Sequence, residues 1–203
     1  MEIVNLYPGS FGANCYCLFD SGDAVVIDPS ANTEAILSEI RKRDAALRYV
    51  LLTHGHFDHV LSVDTLRDAT GAPLCIHEND AEMLTDSQKN AFRYFFGGNR
   101  VWRATERTLS DGEELPFGNT TLRIIHTPGH SKGSVCYLVP DEALFTGDTL
   151  FDGNVGRCDL WGGDDEKLMR SLKKLRVLSP DLTIYPGHGG STTLKSALDV
   201  WIP

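Results

Sequence analysis

His54-Gly55-His56-Phe57-Asp58-His59 packs three imidazoles and a carboxylate into six residues, and three later loops add Gly129-His130, Gly147-Asp148 and Gly187-His188. Imidazole nitrogen and carboxylate oxygen are the donors that a borderline divalent ion such as zinc accepts. Any one of these histidines alone would more often be a structural residue than a ligand. Seven such groups, each beside a glycine or in a loop, form a pattern that predicts a two-metal hydrolytic site. His54 and His56 stand two residues apart, so in extended geometry both rings face one side and grip one ion. Asp58 and His59 follow where the chain turns into a helix, and they face a neighbouring position.

The elements that must position these groups are short apolar runs ending at the ligand loops. Tyr49 to Thr53 leads into His54, Leu122 to Ile125 into Pro128-Gly129-His130, Ala143 to Thr146 into Gly147-Asp148, and Leu182 to Tyr185 into Pro186-Gly187-His188. Each run reads as a buried strand, and strands sharing a sheet sandwich bring all seven side chains to one edge. Ahead of them, Glu2 to Leu6, Ala13 to Phe19 and Ala24 to Ile27 read as strands, with Asp20-Ser21-Gly22-Asp23 as a hairpin turn. A helix follows from the N-cap Asn32 to Arg43, with Ile36 and Ile40 at i and i+4. Strand 48–53 comes next, and His59, Val63 and Leu66 mark one face of a helix ending before Gly71.

In the second half, strands at Thr121 to Ile125, Ser134 to Val139 and Ala143 to Thr146 precede a helix carrying Leu168, Leu172 and Leu175. Asp164 or Asp165 caps that helix, and strand 182–185 follows. Both halves run strands, helix, strand, which predicts an α/β fold: a four-layer α-β-β-α sandwich of pseudo-duplicated halves. Gln88 to Trp102 stands apart, with Phe92, Tyr94, Phe95, Phe96 and Trp102 among arginines. It reads either as a helix anchored on the core by its aromatics or as a wall of the substrate pocket or a dimer contact.

A chain of 203 residues suits one domain, 1–203. Its 41% apolar and 23% charged content are those of a soluble globular protein, not of a disordered one. No run approaches the roughly 18 apolar residues needed to span a bilayer, so no membrane association is expected and the default location is the cytoplasm. A net charge of -9 argues against a nucleic-acid partner, which would need a basic stripe. The five cysteines form no C-x-x-C pair, and four lie in apolar strand-like runs as small buried hydrophobes. Cys158 is the exception, in a loop that carries no neighbouring histidine to activate it.

Thr53 to His59, Thr127-Pro128-Gly129-His130-Ser131, Thr146-Gly147-Asp148-Thr149-Leu150-Phe151 and Pro186-Gly187-His188-Gly189 resemble, in order, the motifs of the metallo-β-lactamase superfamily. Within it, the stretch from Gly147 to Gly163, including Gly156-Arg157-Cys158-Asp159, is similar to the short single-domain hydroxyacylglutathione hydrolase (glyoxalase II) branch. The resemblance implies that His54, His56 and His130 hold one metal, that Asp58, His59 and His188 hold a second, and that Asp148 bridges them. Asp28, in Val26-Ile27-Asp28-Pro29, would support the ligand loop from behind. Two divalent ions are implied, zinc first, with iron or manganese as alternatives.

On that resemblance the expected reaction is hydrolysis of an acyl thioester such as S-lactoylglutathione, through a metal-bound hydroxide that Asp58 orients. The partner is then a small-molecule thioester, glutathione-linked or not, with Arg157 and the Gln88 to Trp102 segment as candidate binding surface. Two-domain relatives place basic glutathione-binding residues in a C-terminal helical domain, whereas this sequence runs only to Pro203, which weakens the expectation for glutathione itself. A persulfide dioxygenase using one iron at His54, His130 and Asp148 is the rival, and a non-catalytic metal-binding module is a further alternative. True β-lactamases of the superfamily are expected to lack the counterpart of His59 and to carry cysteine in place of Asp148.

Overall fold

The computed structural model describes residues 1–6 and 12–202. Two six-stranded sheets divide the chain between them. The first holds β1 (Glu2–Leu6), β2 (Cys15–Asp20), β3 (Asp23–Ile27), β4 (Ala46–Leu51), β5 (Leu74–His77) and β6 (Arg107–Leu109), in chain order. The second holds β7 (Glu114–Phe117), β8 (Thr120–His126), β9 (Val135–Val139), β10 (Ala143–Gly147), β11 (Thr183–Pro186) and β12 (Thr192–Thr193), also in order. Each sheet starts as an antiparallel meander and turns parallel where a helix makes the crossover. β3 pairs with β4 across α1 (Thr33–Lys42), and β10 pairs with β11 across α4 (Asp165–Leu175).

Three buried clusters define four layers. Between the sheets, Tyr16, Leu18, Ile27 and Leu51 meet Leu122, Ile124, Tyr137 and Phe145. Outside the first sheet, Ile36 and Ile40 of α1 with Val63 and Leu66 of α2 (Val63–Thr70) cover Val26, Val50 and Leu74. Outside the second, Leu172 and Leu175 of α4 with Leu194 and Leu198 of α5 (Leu194–Leu198) cover Cys136, Leu144 and Ile184. The α-β-β-α order expected from the repeated pattern is therefore the order observed, one sheet per half of the chain.

The caps act as their chemistry dictates. Asn32 Oδ1 accepts from Glu34 N at 2.9 Å, and Asp164, not Asp165, caps α4 through Lys167 N at 3.0 Å. Gly71 ends α2 at φ 70°. His59 and Val63 do not share a helix: a 3-10 turn over Phe57–His59 stops before α2 begins. The tight turn lets the Asp58 and His59 side chains stay with the ligand loop instead of following α2. Gln88 to Trp102, read either as a core-anchored helix or as a pocket wall or dimer contact, is mostly irregular. Only α3 (Phe92–Phe96) is helical, and Tyr94, Phe95 and Phe96 are exposed while Trp102 alone among these rings is buried. Among the described residues no helix is long and apolar enough to cross a membrane.

Hydrogen bonds cross from one sheet to the other at the ligand edge. Tyr137 Oη, fully buried, donates to the Leu52 carbonyl at 2.7 Å, and Val135 N donates to the Thr53 carbonyl at 2.9 Å. Tyr16 Oη and Asn14 Nδ2 donate to the Pro186 carbonyl at 2.7 and 2.9 Å. Tyr137→Phe leaves the Leu52 carbonyl without this donor inside the core. The expected loss is about 1–3 kcal/mol, read by urea denaturation, with the native fold retained by circular dichroism.

Candidate metal centre

The seven residues singled out by type and spacing come together at one edge of the sandwich. The chain leaving β4 delivers His54, His56, Asp58 and His59, the β8–β9 loop delivers His130, and the ends of β10 and β11 deliver Asp148 and His188. Two glycines make that convergence sterically feasible. Gly147 sits at φ 49° against the Thr53 side chain, and a Cβ on Gly187 would overlap Asp148 Oδ1 and press on His59 Cε1.

Ligand atoms fall into overlapping groups, each lying within 4.8 Å: His54, His56 and His130; His54, His59 and Asp148; Asp58, His59 and His188. In the first, His130 Nε2 lies 2.8 Å from His56 Nδ1 and 3.2 Å from His54 Nε2. Nitrogens bound to one tetrahedral zinc at roughly 2.0–2.1 Å stand about 3.3 Å apart, so the spacing suits a shared ion. In the third, Asp58 Oδ2 lies 3.2 Å from His188 Nε2 and 3.8 Å from His59 Nε2. Asp148 stands between the groups, with Oδ1 3.3 Å from His59 Nε2 and Oδ2 3.6 and 3.7 Å from His130 and His188.

The remote nitrogens of three histidines are anchored, which aims Nε2 of each at the cluster. His130 Nδ1 bonds the Arg157 carbonyl at 2.7 Å. His59 Nδ1 bonds Asp28 Oδ2 at 2.9 Å, and His54 Nδ1 bonds Thr53 Oγ1 at 3.1 Å. Thr53 Oγ1 in turn donates to Asp28 Oδ2 at 2.7 Å, and Thr53 N donates to Oδ1 at 2.8 Å. One buried carboxylate thus orients ligands of two groups, the usual task of an outer partner. Asp28 does so from φ 50°, a left-handed backbone uncommon for a residue other than glycine.

Burial, with neighbouring imidazoles adding to it, holds His54 well below the usual histidine range and pushes His56 down to about 3. Both are neutral, the form that binds metal. For His59 burial acts the same way, but Asp148, Asp28 and Asp58 outweigh it and raise its pKa well above the ordinary value. Burial likewise opposes ionisation of Asp58 and Asp148, and the facing histidines overcome it, so both carboxylates stay charged. His59 Nε2 and Asp148 Oδ1 are buried with no hydrogen-bond partner, as is His56 Nε2. Buried polar atoms are costly to leave unpaired, and two of these three face each other across the cluster centre. A donor set of imidazole and carboxylate with inward-facing orphans fits divalent metal.

Asp80 carries no motif and was not expected, yet it is fully buried and ties two ligand loops together. Its Oδ1 accepts from Gly133 N at 2.6 Å, and its Oδ2 accepts from Ser131 Oγ at 2.6 Å and Gly55 N at 3.3 Å. The available signal was an acidic residue just after a strand, which is too common to single out. His77 and His126 lie off the cluster, stacked on each other at 4.1 Å. Burial of the Cys158 thiol pushes it up to about 11, away from a reactive thiolate. Arg157 lines the cleft over the cluster, but its guanidinium binds Asp159 through two bonds of 2.5 and 2.7 Å. That cleft, about 650 Å³, is walled by Phe57, Phe95, Phe96, Phe151 and Leu160.

A two-sheet sandwich with a histidine-aspartate cluster at the strand ends is the architecture of a metal-dependent hydrolase fold. The chain belongs to the metallo-beta-lactamase superfamily, whose family model matches residues 8–188. Among its relatives, an uncharacterized protein of Mycobacterium leprae is 40% identical, covering 96% of this chain and 94% of that one. The hydroxyacylglutathione hydrolase GloC of Haemophilus influenzae is 32% identical over 96% of this chain and 93% of its own, which fits the glyoxalase II-like branch.

Among solved structures, the B3 metallo-beta-lactamase BLEG-1 superposes with a TM-score of 0.91 at 33% identity, covering 98% and 97% of the two chains. TTHA1623, solved in a di-iron-bound form, gives 0.83 at 35% identity, covering 96% of each. Fold and overall identity therefore do not by themselves set this chain apart from proteins described as β-lactamases.

Asp80→Asn replaces an acceptor with an amide that must turn a donor toward one of three N–H or O–H groups. Metal affinity, measured by chelator competition, is expected to fall about tenfold with secondary structure unchanged.

Proposed function

We propose that this protein is a binuclear-metal hydrolase that cleaves an acyl thioester, such as S-lactoylglutathione, to a carboxylate and a free thiol. His54, His56 and His130 would hold one ion and Asp58, His59 and His188 the other, with Asp148 within reach of both groups. A divalent pair in this donor set, zinc before iron or manganese, supplies an ionisable water at neutral pH and a Lewis acid for the carbonyl oxygen.

The protein's own groups do the rest. Asp58, ionised and beside His188, would accept a hydrogen bond from the attacking water and orient it. The Arg157 carbonyl fixes His130 so that its Nε2 stays turned inward. Thr53 and Asp28 do the same for His54 and His59.

The observation that carries the thioester reading is the lack of a carboxylic acid outside the metal-donor set. Among the described residues, the cleft lining holds no carboxyl group outside the ligand set, and Asp58 and Asp148 are both held in the charged form. An amine leaving group needs a proton as the bond breaks. A thiol with pKa near 8.5 departs as thiolate without one. The likeness to a hydroxyacylglutathione hydrolase supports the same reading.

Metal analysis and a thioester panel on one purified sample test it. Two equivalents of metal are expected, with turnover abolished by chelator and lowered at least a hundredfold by Asp58→Ala, since that change removes both a ligand and the orienting group. One iron per chain with oxygen uptake on glutathione persulfide would favour the dioxygenase. Hydrolysis of a penicillin or cephalosporin at rates matching thioesters would sink the leaving-group argument.

A further inference from the structure

The aromatic segment beside the cleft is oriented with care that a mere surface helix does not need. Phe57 N donates to the Asn90 carbonyl at 3.0 Å, and Asn90, fully buried, accepts from Phe92 N at 3.0 Å and donates to the Arg100 carbonyl at 3.1 Å. Ala91 then takes φ 65°, a left-handed turn that L side chains rarely adopt. The result brings Phe92, Phe95 and Phe96 to within 5.4–5.8 Å of the Phe57 ring, ring centre to ring centre. Phe57 sits between the ligand residues His56 and Asp58. Phe95 and Phe96 nevertheless remain 48% and 55% exposed, an apolar surface with no described residue covering it.

Charge points the same way. Among the described residues, Arg157 is the one lysine or arginine lining the cleft, and Asp159 already engages it with both carboxylate oxygens. Its guanidinium lies 5.8 and 5.7 Å from the Tyr94 and Phe95 ring centres, so it stiffens the aromatic wall. A tripeptide thiol bearing two carboxylates finds no free cation here. An uncharged ring finds four aromatic side chains.

We propose that Phe57, Phe95 and Phe96 form a subsite for an uncharged aromatic group carried within a few bonds of the reacting carbonyl, and that this group, more than glutathione, selects the substrate. The proposal rests on the thioesterase reading for its kinetic test and on binding alone for its independent one.

Four substrates separate the sources of the ring: phenylacetyl and acetyl thioesters of the neutral thiol N-acetylcysteamine, S-benzyl thioacetate, and S-lactoylglutathione. A substrate with a phenyl ring is expected to exceed acetyl-N-acetylcysteamine about tenfold or more in kcat/KM. Preference for phenylacetyl places the ring on the acyl side, and preference for S-benzyl thioacetate places it on the thiol side. Phe95→Ala and Phe96→Ala, at exposed positions where folding is least at risk, should each lower the phenyl-to-methyl ratio about tenfold.

Equal rates for phenyl and methyl substrates, a ratio that neither variant moves, or a preference for S-lactoylglutathione that Arg157→Ala removes would overturn the proposal. If no thioester is cleaved, the thioesterase reading fails, while calorimetry with metal-loaded protein still decides the subsite. Phenylacetate must bind more tightly than acetate, and Phe96→Ala must narrow the gap; equal affinities overturn it.

Discussion

Bringing four buried imidazoles, two largely buried carboxylates and the half-exposed His188 into one cluster is the constraint that the rest of the molecule serves. Each group alone would pay heavily for burial. Together they settle into a division of charge, with His54 and His56 neutral, Asp58 and Asp148 ionised, and a proton on His59 among Asp28, Asp58 and Asp148. That proton marks where the cluster needs positive charge. A divalent ion would meet the need better, because it would satisfy the inward-facing His59 Nε2 and Asp148 Oδ1 at once.

Such a cluster must be assembled by parts distant in sequence, and the two sheets supply them unequally. The first sheet carries four candidate ligands on one loop, with Asp28 bracing it through Thr53 and His59. The second carries three candidate ligands on three separate loops. Backbone and side-chain bonds across the sandwich then set the register between them: Tyr137 to Leu52, Val135 to Thr53, Tyr16 and Asn14 to Pro186. Asp80 closes the assembly by gripping Gly55 on one side and Ser131 with Gly133 on the other. The ligand edge is therefore rigid because the inter-sheet bonds end on the residues that flank it.

The sequence made the local parts of this arrangement legible. Strand-end placement of the ligands, the Asn32 cap, the α1 and α4 faces and the duplication of halves all follow from short-range periodicity and turn chemistry. What stayed hidden depends on partners far along the chain. Asp80 acquires its role only when the β8–β9 loop folds over it. Two-to-four-residue strands such as β6, β7 and β12 carry too few residues to show a period. The Gln88 to Trp102 segment left two readings open because its aromatic content suits a core-anchored helix as well as a pocket wall, and the Asn90–Ala91 turn decides between them by swinging Phe95 and Phe96 toward the cleft.

That difference in construction bears on how one fold serves different reactions. The ligand loops are fixed by many bonds ending on sheet residues, so their geometry resists change. The aromatic wall hangs on the Asn90 contacts and on a five-residue helix bounded by left-handed residues at Ala91 and Gly97. Substitutions in such a segment alter the cleft without disturbing the metal donors. Proteins that share about a third of this sequence and nearly all of its fold are accordingly described both as a hydroxyacylglutathione hydrolase and as a B3 metallo-beta-lactamase. The residues that choose the substrate are to be sought around Phe57, Phe95, Phe96 and Arg157 and not within the ligand set itself; the exposed Phe95 and Phe96 can be exchanged at least cost to stability, whereas Phe57 also packs against the core.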